Sequence, residues 1–248
     1  EDRNFGIRKQ LLEYDNVMSK QREVIYAQRR QVLLGNDMSD EVQEMIASYV
    51  DAVVQRYLNP QLEPDDQDVP AMRASLADAQ AKLHAELDEV LGGRPPRFAD
   101  LDNLTYTDRV VHETLRLYPP AWIIARQPIA PVTLGGSGID AGSVILIPIP
   151  SVHRHPRYWE DPDTFRPERF APANAGRIDK WAYIPFGGGP RVCIGNSFAM
   201  MEARLVLATI AQHYALALDP RQVIESEPLI TLRPRHGMRM QARARKPV

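Results

Sequence analysis

The chain has 248 residues, of which 44% are hydrophobic and 25% are charged, and its net charge is −2. This composition is typical of a globular protein and excludes a low-complexity or collagen-like chain. The small net charge and the lack of a basic run give no electrostatic support for binding nucleic acid or an anionic membrane. No apolar segment is long enough to cross a bilayer.

Cysteine usage restricts the possible chemistry further. The chain contains one cysteine, Cys193, which excludes an internal disulfide and a cysteine-rich zinc site. The first ten residues, EDRNFGIRKQ, lack the apolar core of a secretory signal. We therefore expect a reducing, cytoplasmic environment.

The first predicted element is a long helix over residues 4–34. Its apolar positions recur every seven residues and are Leu11, Met18, Ile25 and Val32. A second amphipathic helix is predicted from Ser39, followed by an acidic, proline-containing linker over residues 59–70. This pattern predicts a helical hairpin that packs on another surface.

The segment RNFGIRKQLLEYDNVMSKQREVIYAQRRQVL, residues 3–33, resembles the long scaffold helix of SecA, the ATPase motor of bacterial protein secretion. The likeness continues through DVPAMRASLADA to residue 79. In that family the helix connects the motor to its neighbouring domains, so the resemblance implies SecA-type domains or a translocase as partners. The chain has no GxxxxGK[ST] loop, so the ATPase activity does not carry over.

Two helices are predicted next. Residues 80–91 have leucines at helical spacing and are followed by Gly92-Gly93, which ends the helix. Another helix begins at Thr105, where Asp108 three residues later forms a near capping box, and it stops at Pro119-Pro120.

The remainder mixes short strands, irregular chain and one more helix. Strands are predicted in VTLGG, residues 132–136, and in SVILIPIP, residues 143–150. Four prolines make residues 153–181 irregular, and a helix is predicted from just after Cys193 to Tyr214. The segment ITLRPRHGMRMQAR, residues 230–243, predicts a hairpin.

The single cysteine lies in FGGGPRVCIG, residues 186–195. A lone cysteine is most often a small buried hydrophobe, and no histidine pattern marks this one as a catalytic thiol. Here, however, glycines allow the backbone to approach a large flat group, and the following helix N-terminus favours the thiolate. One thiolate without a second protein ligand is suited to haem iron.

Five residues around the cysteine fit the pattern FxxGxRxCxG: Phe186, Gly189, Arg191, Cys193 and Gly195. Upstream, ETLRLYPP contains an ExxR pair, Glu113 and Arg116, and FRPERF contains Arg169. These three elements, in this order, resemble the cytochrome P450 family over residues 80–248.

This resemblance implies haem b, with Cys193 as the axial thiolate ligand. The other cofactor-binding residues that it implies are Phe186, Gly189, Arg191, Gly195, Ala199 and Arg126. Among these, Arg191 and Arg126 would pair with the haem propionates, and Phe186 would lie against the haem near the sulfur. Ile123 and Ile124 would face the substrate pocket.

The resemblance gives Glu113, Arg116 and Arg169 a structural role as a buried charge triad. A glutamate and an arginine three residues apart share one helix face, and a guanidinium can bind a carboxylate through two hydrogen bonds. We expect no catalytic role for these residues.

The family's distal helix, which carries [AG]GxxT and positions oxygen, has no counterpart in this sequence. Its expected place, just before Gln80, is occupied by the SecA-like segment. With one wall of the haem site encoded, we expect weak or absent haem binding and exposed apolar surface.

We therefore predict a mainly α, α+β fold in two parts. Residues 1–79 would form a SecA-like helical hairpin and linker, and residues 80–248 the proximal half of a cytochrome P450 fold with short β elements. The predicted function is that of a haem-thiolate monooxygenase, which takes electrons from a ferredoxin or reductase and oxidises a small organic substrate, although not unaided in this chain. A non-catalytic SecA scaffold piece and a functionless chimera remain alternatives.

Overall fold

The structure is a computed structural model that describes residues 70–246, apart from residues 220 and 230. Side chains are described from Leu76 onward, except that of residue 175. This part of the chain has an α+β fold with a mainly helical core, in agreement with the predicted fold class. Its helices are α1 Pro70–Leu91, α2 Thr105–Leu117, α3 Ile149–Val152 and α4 Asn196–His213.

The predicted N-terminal elements are not covered by this description. The helices over residues 4–34 and from Ser39 lie outside the described residues, as does the linker over residues 59–70 except for Pro70. These elements therefore stay predictions.

The helix predicted over residues 80–91 begins earlier, because α1 starts at Pro70. A proline at the first helical position is well placed, since its missing N–H has no partner there in any case. Residues 71–79 include alanines, Met72, Arg73 and Leu76, which are good helix formers, so nothing interrupts α1 where the sequence changes character. Gly92 follows the helix with φ of 54°, a left-handed conformation that suits glycine.

The main core lies where α1, α2 and α4 pack against one another. Its buried members are Leu83, Leu87, Leu91, Leu104, Tyr106, Ala208 and Ala211. The predicted boundaries of α2 and α4 are confirmed to within about two residues, which is the usual uncertainty of a helix end. Between residues 70 and 246, no helix is both long and apolar enough to cross a membrane.

The predicted capping box at the start of α2 is wrong. Leu104 occupies the N-cap position of α2, but its apolar side chain cannot accept a hydrogen bond, and no side chain of the helix itself accepts its first N–H groups. The carboxylate of Glu86, on α1, accepts hydrogen bonds from the backbone N–H groups of Tyr106 and Thr107 and from the Thr107 hydroxyl. A neighbouring helix thus supplies the negative charge that the helix N-terminus favours.

Eight short strands form four two-stranded antiparallel sheets in the described part of the chain. Their bounds are β1 Ile123–Arg126, β2 Val132–Leu134, β3 Ser137–Ile139, β4 Ile145–Pro148, β5 Tyr214–Leu218, β6 Ser226–Pro228, β7 Leu232–Pro234 and β8 Met240–Ala244. β1 pairs with β4, β2 with β3, β5 with β8 and β6 with β7.

The two predicted strand segments are confirmed in part. VTLGG supplies β2 and the Gly135-Gly136 turn of a hairpin, and both of these glycines have positive φ. SVILIPIP supplies β4, which stops at Pro148, and the short helix α3 begins at Ile149. β1 was not predicted as a strand, because its four residues show no alternation between buried and exposed positions.

The hairpin predicted over residues 230–243 is wrong. β7 pairs with the preceding strand β6, and β8 pairs with β5, which directly follows α4. The β5–β8 ladder runs over five residue pairs, whereas Pro228 and Pro234 lie at the ends of the three-pair β6–β7 ladder. Proline has no N–H to donate, so it limits the extension of a ladder.

Replacing Glu86 with alanine should destabilise the protein by about 0.5–2 kcal/mol, the range measured for loss of a helix N-cap. The change leaves two backbone N–H groups at the start of α2 without their acceptor. Urea unfolding followed by circular dichroism measures the effect. Glu89→Ala is the matched control, since Glu89 is exposed on the same helix and makes no hydrogen bond or ion pair in the described part. Equal unfolding midpoints for the two variants would contradict the capping role.

Candidate functional site

Glu113 and Arg116, both on α2, form an ion pair with no exposed surface. Arg116 Nε donates to Glu113 Oε2 at 2.7 Å, and Arg116 Nη2 donates to Glu113 Oε1 at 2.8 Å. The pair is therefore bidentate, the geometry in which a guanidinium and a carboxylate match best. A buried pair of this kind needs its remaining polar atoms satisfied as well.

Backbone carbonyl groups of the irregular segment satisfy the remaining Arg116 donors. Nη1 donates to the carbonyl oxygens of His153 at 3.0 Å and Pro162 at 2.6 Å. Nη2 also donates to the carbonyl oxygen of Thr164 at 3.2 Å. Arg116 therefore ties the segment that follows α3 to the face of α2.

Arg169 completes the group from a 3-10 turn, Pro167–Phe170. Its Nε donates to Glu113 Oε1 at 3.3 Å, and its Nη atoms donate to the carbonyl oxygens of Glu160 and Asp161. Burial lowers the pKa of the Arg169 guanidinium, and the adjacent Glu113 carboxylate opposes that shift. The structure thus brings the three residues of the sequence-predicted triad together.

His153 was not singled out from the sequence, yet it lies fully buried beside this group. Its Nδ1 is 3.0 Å from the carbonyl oxygen of Arg116, so Nδ1 carries the proton and donates. Its Nε2 accepts a hydrogen bond from the backbone N–H of Ile184 at 2.8 Å. This neutral ring connects α2 to the chain entering the cysteine loop. No local pattern in SVHRHP indicates such a bridge.

An aromatic cluster surrounds the same junction. Phe170 and Tyr183 have ring centroids 4.9 Å apart, and His112 stacks on Phe170 at 5.2 Å. His112 Nδ1 lies 2.7 Å from the Tyr183 hydroxyl, and the Arg116 guanidinium lies 5.0 Å from the ring centroid of Trp159. Burial lowers the pKa of His112 and raises that of Tyr183. The residues just before Phe186 are thus held by a cluster of half-buried rings and the buried Trp159.

The loop over residues 186–193 is closed by backbone hydrogen bonds. The N–H of Cys193 donates to the carbonyl oxygen of Phe186 at 2.9 Å, and the N–H of Val192 donates to that of Gly189 at 3.1 Å. Gly187 and Gly189 have φ of 76° and 69°, a left-handed backbone that favours glycine. The glycines therefore make the tight path of this loop possible.

Cys193 is exposed at the end of this loop, three residues before α4 begins. Its two neighbours, Val192 and Ile194, are 46% and 50% exposed, so an apolar strip borders the thiol. A Cβ atom added to Gly195 would lie 4.0 Å from the Cys193 sulfur, and the N–H of Ala199 donates to the carbonyl oxygen of Gly195. An exposed thiol with apolar neighbours at a helix N-terminus fits one face of a haem.

Strand β1 lies beside this loop. Its residue Ile124, which was predicted to face the substrate pocket, lies close to the loop, since its Cδ1 is 3.4 Å from the position a Cβ would take on Gly187. Arg126 lies on the same strand, and both Arg126 and Arg191 are exposed. Between residues 70 and 246, neither arginine has an acidic partner, so both charges are available to an anionic group.

A separate cleft of about 680 Å³ lies between α1 and the start of α2 and contains none of the predicted site residues. Its lysine, Lys82, already pairs with Asp78 and Glu168, each at 2.7 Å. Glu86, in the same cleft, is engaged as the cap of α2. We therefore place the candidate site at Cys193.

Glu113→Ala should destabilise the protein by about 3–5 kcal/mol, because it leaves two buried guanidinium groups without their carboxylate. Urea unfolding followed by circular dichroism measures the loss. The matched control is Glu225→Ala, which breaks an ion pair with Arg235 whose side chains are both 48% exposed and should cost less than about 1 kcal/mol. Similar losses in the two variants would contradict a stabilising role for the buried triad.

Burial lowers the pKa of His153 to about 4, below its ordinary value of 6.5, so the folded state keeps this ring neutral. The stabilisation from the buried neutral His153 is complete above pH 6.5, the ordinary pKa that the ring has in the unfolded chain. It is lost as the pH falls from 6.5 towards 4, because in this range only the unfolded chain takes up the proton. The loss amounts to about 3 kcal/mol across that window. His153→Gln should flatten the fall in unfolding free energy between pH 7 and pH 4. An unchanged slope would show that other groups cause it.

Comparison with known proteins identifies two families. The family model for Cytochrome P450 matches residues 74–239, and that for the SecA Wing and Scaffold domain matches residues 1–119. The two matches overlap over residues 74–119. Each family named from the sequence motifs is therefore found independently.

Individual relatives include proteins named as cytochromes P450 and enzymes named as a synthase, a monooxygenase and an oxygenase. Cyclooctatin synthase from Streptomyces melanosporofaciens is 46% identical over 154 residues, which are 62% of this chain and 34% of that enzyme. Putative cytochrome P450 132 from Mycobacterium tuberculosis is 43% identical over 168 residues, 67% of this chain and 36% of the relative. The chain thus spans about a third of the length of these relatives.

A solved structure shows the same fold. The crystal structure of the cytochrome P450DA heme domain superimposes with a TM-score of 0.65 and 31% sequence identity, covering 71% of this chain and 40% of that one. Together with the family match over two thirds of the residues and the glycine loop that presents Cys193, this places the chain in the cytochrome P450 family.

Proposed function

We propose that this chain carries the proximal half of a haem-thiolate monooxygenase site, with the sulfur of Cys193 as the axial ligand of haem b. Family membership implies a haem-iron cofactor. The observation that carries the proposal is that Cys193 is exposed on a glycine loop, beside a helix N-terminus and between two exposed apolar residues. A thiolate-ligated haem iron supports insertion of one oxygen atom into an organic substrate.

Several of the chain's own residues would bind and orient the haem. Arg126 and Arg191 would pair with its propionates, which their exposure and lack of an acidic partner in the described part support. Phe186 is half-buried at the start of the loop and would lie against the haem near the sulfur. Gly189, Gly195 and Ala199 would keep the backbone close to that face.

The triad would support the haem-facing loop, residues 186–193, from the interior of the protein. Glu113, Arg116 and Arg169 lie in the interior, where they hold the irregular segment against α2 and leave no acidic oxygen free. In the proposed function they position the cysteine loop and take no part in proton transfer.

The complete reaction would need a ferredoxin or a reductase as the electron donor and a small organic substrate. Relatives carry names such as Cyclooctat-9-en-7-ol 5-monooxygenase and Pentalenene oxygenase, which describe oxygenation of organic compounds. Ile123 and Ile124, which are half-buried on β1, would border the substrate pocket.

In the proposed function this chain does not complete the reaction unaided. The sequence has no [AG]GxxT segment to position oxygen, and about half of the surface of Val192 and of Ile194 remains exposed in the described part. Since a haem is apolar on both faces, a single wall buries half of it, and binding should be weak.

A second candidate function is that of a helical scaffold piece of a SecA-type translocation motor. The family match over residues 1–119 favours it. That function would use residues 7–32 and a SecA-type partner, and it would not need Cys193. A functionless chimera of the two families is the third candidate, which the missing distal motif supports.

An absorption spectrum tests the haem-thiolate proposal. The chain should be expressed with a haem precursor, reduced and exposed to carbon monoxide, beside Cys193→Ser. We expect a strongly red-shifted Soret band at well below one haem per chain, and no such band in the variant, since a hydroxyl does not replace a thiolate. Full occupancy would contradict weak binding. A Soret band unchanged by the substitution, or no haem at all, would overturn Cys193 ligation.

A further inference from the structure

The cysteine loop has a close neighbour that sequence analysis did not single out. Trp181 is 56% exposed, although its indole ring lies against the backbone of Gly188. We propose that Trp181 is a positioning residue, whose ring fixes the path of residues 186–193 and thereby the place of the Cys193 sulfur. The reason for positioning the sulfur rests on the proposed haem-thiolate function. The contact between Trp181 and the loop does not depend on a bound haem.

The three consecutive glycines of the loop differ in what they require. Gly187 and Gly189 have positive φ, so their backbone itself favours glycine. Gly188 has φ of −157° and ψ of 166°, an extended conformation that any residue adopts. A Cβ added to Gly188 would lie 2.8 Å from Cζ3 of Trp181, closer than side chains approach. Glycine is therefore needed at 188 because of the Trp181 ring.

The backbone that carries the ring is fixed by a turn. The N–H of Trp181 donates to Asp179 Oδ1 at 2.7 Å, and the next residue, Ala182, is buried and donates to the Asp179 carbonyl oxygen at 2.9 Å. The ammonium group of Lys180 lies 5.2 Å from the ring centroid, in a cation–π contact. A turn thus fixes the Trp181 backbone, and the indole ring touches Lys180 and the loop.

The ring contact occurs at the start of the 3-10 turn Gly189–Arg191. In the described part of the chain, no backbone hydrogen bond outside that turn involves Gly188. The bonds on either side close the loop locally, from Gly187 to Ile184 and from Cys193 to Phe186. A displacement of Gly188 would therefore be passed along the loop to Cys193.

A double-mutant cycle tests this coupling in the apo protein. The variants are Trp181→Ala, Gly188→Ala and the double variant, with Trp181→Phe as the conservative replacement. Hydrogen exchange at the Val192 and Cys193 amides, which both close the loop, is the readout. Phe98→Ala is the matched control, because Phe98 is an aromatic residue that is 62% exposed on another element.

We expect Gly188→Ala to raise exchange at these two amides about tenfold, because the added methyl group displaces the loop from the ring. Removing the ring as well should reverse most of this increase, since the extended backbone at 188 tolerates alanine. Trp181→Ala alone should raise exchange several-fold, with Trp181→Phe between it and the parent. The unfolding midpoints of all these variants should differ from that of the parent by no more than the Phe98→Ala midpoint does. Additive effects in the double variant, or a Trp181→Ala variant no different from Phe98→Ala, would overturn the proposal.

The reduced carbon monoxide spectrum of the same variants connects the coupling to the haem. If Trp181 positions the sulfur, Gly188→Ala should lower the fraction of red-shifted Soret absorption, and the double variant should recover it. Coupled exchange in a parent chain that binds no haem would support the positioning role and reject the haem-thiolate function. If the parent chain binds haem through Cys193 but neither readout shows coupling between Trp181 and Gly188, the haem-thiolate function is supported and the positioning role of Trp181 is rejected.

Discussion

One carboxylate, that of Glu113, holds two guanidinium groups in the interior of this protein. A single carboxylate balances one cation, so the second buried charge depends on the partial negative charge of backbone carbonyl oxygens. Arg116 and Arg169 obtain these from five residues: His153, Glu160, Asp161, Pro162 and Thr164. Carbonyl oxygens that converge on a guanidinium do not have the alternating directions of a strand ladder. The irregular course of residues 153–170 is therefore the shape that solvates these charges.

Hydrogen bonds and ring contacts between uncharged groups connect the Glu113–Arg116–Arg169 group to the cysteine loop. His153 bonds to the backbone of Arg116 on one side and to that of Ile184 on the other, and Tyr183 packs against the half-buried ring of Phe170. The chain is therefore fixed just before Phe186, where the glycine loop starts. Beyond that point, Val192, Cys193 and Ile194 are exposed. The loop has a rigid base and an open face, as expected of a surface that a flat cofactor would cover.

The sequence was informative where function or periodicity leaves a local pattern. The ExxR spacing located Glu113 and Arg116, and the leucine spacing located α1, although its start at Pro70 was missed because residues 71–79 read as part of another family. The interactions that sequence analysis missed join residues far apart in the chain. Glu86 caps α2 from 20 residues away, and β8 pairs with β5 across two other strands. Such partners are chosen by packing, which no short segment encodes.

Helix α1 runs without interruption through the predicted boundary between residues 79 and 80. The residues before this boundary therefore have a fixed rotation about the helix axis relative to those after it. Ala79, Leu83, Leu87 and Leu91 form a single buried stripe, each four residues from the next. On the other side of the helix, Asp78 pairs with Lys82 one turn away. One residue inserted between Ala79 and Gln80 would turn the start of α1, residues 70–79, by about 100° and shift it by about 1.5 Å along the axis. A join at the predicted boundary would therefore tolerate few changes in length, and the present spacing keeps Ala79 in line with the core.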